Sequence, residues 1–290
     1  MRSAEIQPST LAGTWYPADA GELRAELEDF LAERHDDPEL CAMVVPHAGY
    51  RYSGKTAGTA YARVSRGRWR RAVVIAPSHH HFFEGAAVFP GAGFETPLGR
   101  VLVDLDATRE LTAARFFEAT ARPYAREHSL EIQLPFLQVI DPEIRLVPVL
   151  IGAPLGSQVL AGIAPALRAL DDGDTLFVVS SDFTHYGASF DYLPFPPEGA
   201  EFVATELRRL DFGAIESVRR GNVEGFTRYV EETGITVCGR SPIAAFLHAS
   251  GGRLEGDLVS YATSLDVTGD YEHSVSYAAI VFHPLPDLAA

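Results

Sequence analysis

Cysteine and lysine are nearly missing from this chain of 290 residues: Cys41 and Cys238 are its two cysteines, and Lys55 is its single lysine. Two thiols make no disulfide framework, and a chain of this length needs none, so reduced thiols and a cytoplasmic location are expected. No uninterrupted apolar stretch reaches the roughly 18 residues of a membrane span, and residues 1–8 carry no apolar signal segment. A formal charge of −15 argues against a surface built to neutralise nucleic-acid phosphate or to settle on an anionic membrane. The one basic cluster, Arg66-Gly67-Arg68-Trp69-Arg70-Arg71, reads as a loop of exposed arginines. No Gly-x-Gly-x-x-Gly follows a strand, and neither a Walker loop nor Gly-x-Ser-x-Gly is present. Those absences disfavour dinucleotide, nucleotide and serine-hydrolase chemistry.

What is present is a large apolar fraction, 47% of residues, enough to fill a substantial core. Apolar strand-like runs alternate with helical patterns, which predicts an α/β fold of three αβα layers around a mixed, largely parallel sheet. No repeat or low-complexity tract divides the chain; residues 194–198 read equally as a boundary or a surface loop, and the simpler expectation is one domain over residues 1–290. Asp19 and Asn222 are expected to cap helices, and residues 53–64 to form a small-residue helix packed close to the sheet. Residues 101–104 read as a further strand. The stretch 199–220 reads as two helices, and Pro135 as either a kink or a first-turn proline.

The central feature is residues 72–82, a strand without polar residues that runs into His79, His80 and His81. Pro77 lacks an N–H and suits the strand's end, which puts the histidines beyond its carboxyl edge, where open α/β sheets bind ligands. Three adjacent side chains in an extended turn point different ways, so they do not all reach one ion. His47 follows the apolar run 43–46 in the same manner, and the strand 176–181 runs into Asp182 and His185. Cys238 lies just before a helix that opens near Ser241-Pro242, where the helix dipole favours a thiolate. A parallel or mixed sheet gathers these strand ends on one rim. Imidazole and thiolate together suit zinc, copper or iron rather than magnesium or calcium. Asp182 and His185 fit either a plain hydrogen bond or an acid/base pair whose carboxylate fixes the imidazole tautomer. Helix capping explains Ser129, and can explain Glu127, without chemistry.

Several segments resemble one family in order. They are Gly13-Thr14-Trp15-Tyr16-Pro17, Pro46-His47-Ala48-Gly49-Tyr50, Pro77-Ser78-His79-His80, Glu127-His128-Ser129-Leu130-Glu131, residues 178–185, Cys238-Gly239-Arg240-Ser241-Pro242-Ile243 and Ser274-Val275-Ser276-Tyr277-Ala278-Ala279. Together they are similar to the Memo family, whose prokaryotic members are called AmmeMemoRadiSam system protein B, and the likeness runs from about residue 11 to 282. That family resembles in fold the LigB-like class III extradiol dioxygenases, which are non-haem iron enzymes. The resemblance implies a metal site lined by His47, His79 and Cys238, with His185 at the place of the acid/base histidine and Asp182 beside it. Tyr50, His128, Arg240 and His80 become candidate substrate contacts. Where extradiol enzymes place a carboxylate ligand, this chain offers Cys238, which favours copper, zinc or a differently tuned iron. The function expected is redox or oxygen-dependent chemistry on a small substrate around one transition-metal ion, iron or copper ahead of zinc. Two alternatives remain open at this point: a scaffold holding a small molecule or peptide in a vestigial cleft, and a zinc hydrolase with Asp182 or Glu127 as base. The family name implies association with AMMECR-family and radical SAM proteins.

Overall fold

The computed structural model describes residues 5–152 and 155–286. A nine-stranded mixed sheet forms its centre. Four parallel strands make the middle, in the spatial order Ala42–Val45, Thr175–Ser180, Arg71–Pro77, Arg145–Ile151. Ser274–Pro284 runs antiparallel against Ala42–Val45, and it pairs in turn with Leu254–Thr263 and, at its first residues, with the short strand His185–Tyr186. Ala86–Val88 and Phe117–Ala119 complete the other side.

Every residue of Arg71–Pro77 is buried, as a strand covered on both faces must be. Alternation divides its side chains: Val73 and Ile75 enter one core, Ala72, Val74 and Ala76 the other. The first core is completed by the helices Ser157–Arg168, Ala200–Arg219 and Arg240–Ser250, the second by Ala20–Phe30, Tyr50–Tyr61 and Leu134–Ile140. The three layers follow from this split. Each fully buried Val, Leu or Ile contributes about 1.5–3 kcal/mol, so both faces are needed to offset the entropy of ordering so long a chain.

Several local expectations hold, and several are corrected. Asp19 accepts from Gly21 N and Glu22 N at 2.8 and 3.0 Å, and Asn222 accepts from Gly225 N at 2.9 Å. Pro135 sits in the first turn of Leu134–Ile140, where its missing N–H costs nothing. The segment 199–220 is one helix, Ala200–Arg219, because Val203, Leu207, Leu210, Ala214, Ile215 and Val218 form an unbroken buried stripe. Gly99–Leu102 pairs with Gly93–Thr96 in a separate three-stranded sheet rather than in the central one. Arg71 leaves the expected exposed loop. It is 6% exposed and donates to Thr175 Oγ1 at 2.7 Å and Asp172 Oδ2 at 2.8 Å, pinning the sheet's amino-terminal rim. The small-residue helix begins at Tyr50, directly after Gly49, and packs on the sheet strands Leu254–Thr263 and Ser274–Pro284 as expected; it also approaches a neighbouring helix closely, since a Cβ on Gly58 would lie 2.5 Å from the Phe30 carbonyl oxygen. No helix among the described residues is long and apolar enough to cross a membrane.

Candidate metal centre

Parallel register brings the site together. Val45 pairs with Ser180, so the chain leaving each strand turns over the same rim two residues later, at His47 and Asp182. The His47 N–H donates to Asp182 Oδ1 at 2.8 Å. Asp182 N in turn donates to Cys238 Sγ at 3.3 Å, and Gly239 N donates to Ser181 Oγ at 3.1 Å. These bonds fasten the turn before the helix Arg240–Ser250 onto the strand end. His79 arrives from the next strand, with its ring centroid 5.2 Å from that of His47.

One ligand atom from each of His47, His79 and Cys238 lies within 4.8 Å of the others. Cys238 Sγ is 3.1 Å from His47 Nε2. The outer nitrogen of each imidazole is engaged elsewhere. His47 Nδ1 lies 2.9 Å from Ser180 Oγ, whose own proton goes to the Ser129 carbonyl at 2.6 Å. Ser180 is therefore the acceptor, and His47 carries its proton on Nδ1. His79 Nδ1 lies 2.8 Å from Glu127 Oε1, which assigns its proton the same way. Both Nε2 lone pairs are left to face Cys238, the arrangement in which outer hydrogen bonds orient histidine ligands. Cys41 takes no part; its Sγ is 3.4 Å from the Phe282 carbonyl.

Electrostatics agree with a cation site. Burial, reinforced by His79, holds His47 well below the usual imidazole range, so the ring is neutral as a ligand must be. Burial and the Asp182 carboxylate push the Cys238 thiol well above its ordinary value, which overrides the helix dipole; the thiolate needs a nearby positive charge. Burial also raises Asp182. Glu127 is the exception: burial opposes its ionisation, but the hydrogen bonds it accepts from His79 outweigh that and hold it down to about 2. Its oxygens accept from His79 N at 2.6 Å, from His79 Nδ1 and from Ser129 N at 3.1 Å. Glu127 thus both caps the helix His128–Glu131 and orients the ligand.

The remaining candidates separate. His128 stacks on His79 with centroids 4.4 Å apart and touches Trp15 at 4.6 Å, and burial followed by the neighbouring His47 and His79 lowers it to about 3. Arg240 is exposed on the wall of a cleft of about 420 Å³ that His79, Thr236 and Cys238 also line. His80 is exposed, 6.3 Å from the His128 ring. Tyr50, expected as a substrate contact, is buried against Tyr16, Phe30 and Phe136, and its hydroxyl donates to the Ile132 carbonyl at 2.9 Å. The fully packed ring stands in the core, outside the cleft.

His185 and Asp182 share no hydrogen bond among the described residues. His185 Nδ1 instead faces the Phe183 and Thr236 carbonyls at 3.0 and 3.1 Å, so carbonyls, not a carboxylate, set its tautomer and leave Nε2 free. Thr236 Oγ1 also accepts from His185 N and donates to His185 O. Ser180 and Thr236 carry no signal that sequence reasoning detects, since a serine at a strand end and a threonine in a loop are ordinary. Glu127 was visible inside Glu127-His128-Ser129.

A model of the family described as "Memo-like protein" matches residues 7–281. The chain belongs to the Memo family. Its similarity to other Memo proteins extends over most of their length. It is 32% identical to the memo-1 homolog of Caenorhabditis elegans, covering 94% of this chain and 82% of that protein. With a MEMO1 family protein of Thermococcus kodakarensis the identity is 33%, over 96% of this chain and 99% of the other. With MEMO1 of Danio rerio it is 31%, over 92% and 94%.

Proposed function

We propose that this Memo protein holds one transition-metal ion, iron or copper ahead of zinc, on His47, His79 and Cys238, and uses it in redox or oxygen-dependent chemistry on a small substrate. The observation that carries this reading is the convergence of three ligand atoms within 4.8 Å while both outer imidazole nitrogens are tied to Ser180 and Glu127. A bound ion of this kind supplies Lewis acidity and one-electron chemistry, and a soft thiolate ligand favours copper or a thiolate-tuned iron over a purely oxygen-ligated cation.

The chain's own residues do the rest. Glu127 and Ser180 hold the imidazoles in the ligating tautomer. Asp182 binds the His47 backbone and lies 3.9 Å from its Nε2, adding negative charge beside the ligating nitrogen. His185, with Nδ1–H held by carbonyls, presents Nε2 to accept a proton from substrate and return it. Arg240 offers a cation to an anionic substrate group.

Metal analysis of protein purified without histidine tag or chelator, beside His47→Ala, His79→Ala and Cys238→Ser, tests this. Stoichiometric metal in the parent and its loss in each variant is expected. Negligible metal in all of these proteins removes the proposal.

A further inference from the structure

The cleft at the ligand cluster does not end at Arg240. On the other side of Arg240 and Ser241 a second recess of about 150 Å³ opens between helices, and both residues line both cavities. Its walls are Leu155, Leu160, Phe226, Val230 and Ala244, with Thr227 and Glu231 at the solvent edge. Leu160, Phe226, Val230 and Ala244 are all buried, so the floor of the recess is apolar, while Thr227, Glu231 and Arg240 frame a mouth open to solvent. An apolar cavity of this size is large enough for a benzene ring or a short alkyl group, and water gains little by entering it.

Arg240 stands at the junction. Among the described residues its guanidinium forms no ion pair, although the chain carries 39 acidic residues against 24 basic ones. Ser241 is already committed, its Oγ accepting from Leu155 N at 3.3 Å, which ties the two walls of the recess together.

The geometry points to a three-part ligand: a reacting end at His79 and Cys238, an anionic group on Arg240, and a short apolar tail in the Leu160–Phe226–Val230 recess. The substrate class is therefore a small amphipathic anion. Recognition divides accordingly, with charge selecting at Arg240 and size selecting in the recess. This assignment rests on reading the His47, His79 and Cys238 cluster as the reacting centre.

Straight-chain carboxylates test it directly. Titration calorimetry of the untagged, full-length protein with acetate, butyrate, hexanoate and octanoate, and with hexanol as the uncharged match, reads both selections. Each buried methylene strengthens binding severalfold, so hexanoate should bind roughly tenfold tighter than butyrate and well ahead of hexanol. Arg240→Gln, at an exposed position, should abolish the preference for hexanoate over hexanol. Val230→Phe should bring hexanoate down to the affinity of butyrate, and Thr227→Trp at the open edge repeats that test without disturbing the core. Equal affinity for butyrate and hexanoate, or equal affinity for hexanoate and hexanol, overturns the assignment. Metal content measured on the same samples keeps the two readings apart. Metal without this selectivity overturns the ligand class alone, whereas selectivity without metal removes the reacting centre and with it the recess's role in a substrate site.

Discussion

Glu127 grips His79 twice, taking the backbone N–H at 2.6 Å and the ring Nδ1 at 2.8 Å, so one carboxylate fixes both the position and the tautomer of one ligand. Glu127→Gln keeps the shape but can present an amide N–H to Nδ1, which reverses the hydrogen bond and puts the ring proton on Nε2, where it blocks the lone pair meant for the ion. Loss of such an outer partner costs about 10- to 100-fold in metal affinity. Competition against a chelator of known affinity should show that drop, with thermal stability of the chelator-treated protein falling as well. An unchanged affinity would mean that Glu127 acts only as a helix cap.

His128 makes the metal-free protein sensitive to acid. Its folded pKa, about 3, lies below the ordinary 6.5, so the unfolded chain takes up this proton first. The stabilisation from keeping the ring neutral is present above about pH 6.5 and is lost as pH falls from there toward 3. Asp182 and Asp211, raised by burial, act in the opposite sense nearer the carboxylate range, so the informative quantity is a difference between proteins. Melting temperatures of chelator-treated protein should fall more steeply between neutral and mildly acid pH in the parent than in His128→Gln. Parallel curves would show that His128 is already protonated in the fold.

Glu131 anchors the segment that carries Trp15. It accepts from Ser9 Oγ at 2.7 Å, Thr10 N at 3.0 Å, Thr10 Oγ1 at 2.8 Å, Leu11 N at 3.1 Å and Tyr16 OH at 2.7 Å. Glu131→Gln puts a donor among donors and leaves buried groups unpaired, at a cost of about 3 kcal/mol or more. Hydrogen exchange should show Thr10 and Leu11 amides losing protection while Val147, in the sheet, keeps it. Retained protection at Thr10 would show that packing alone holds the segment.

Two effects compete at Gly58. Alanine gains about 1 kcal/mol of helix propensity, but its Cβ would meet the Phe30 carbonyl oxygen at 2.5 Å. Forcing helices apart typically costs about 1–3 kcal/mol, so the clash wins and Gly58→Ala should unfold at lower denaturant. A higher midpoint would mean that the two helices separate freely.

Most of the helices, the buried strands and the location of His47 and His79 at strand ends were readable from the sequence, whereas Cys238, also expected to follow a strand, lies in the loop between the helices Val223–Thr233 and Arg240–Ser250. Each rests on a local pattern: an apolar run such as 72–76, a capping residue such as Asp19, a proline such as Pro77 that stops a strand. Those patterns need only near neighbours to act. Whether a residue faces the cleft was a different matter. Tyr50 and His47 are three positions apart, yet one is spent in the core and the other lies in the site, because the helix begins at Tyr50 and turns its ring toward Phe30 and Phe136. The bonds that set imidazole tautomers come from Ser180, Glu127 and Thr236, each placed by strands and loops distant in sequence. Register between non-adjacent strands decides such contacts, since a one-residue slip reverses every side chain. The sequence by itself determined which residue types reach the sheet's rim; the tertiary structure decided which of their atoms are free to bind.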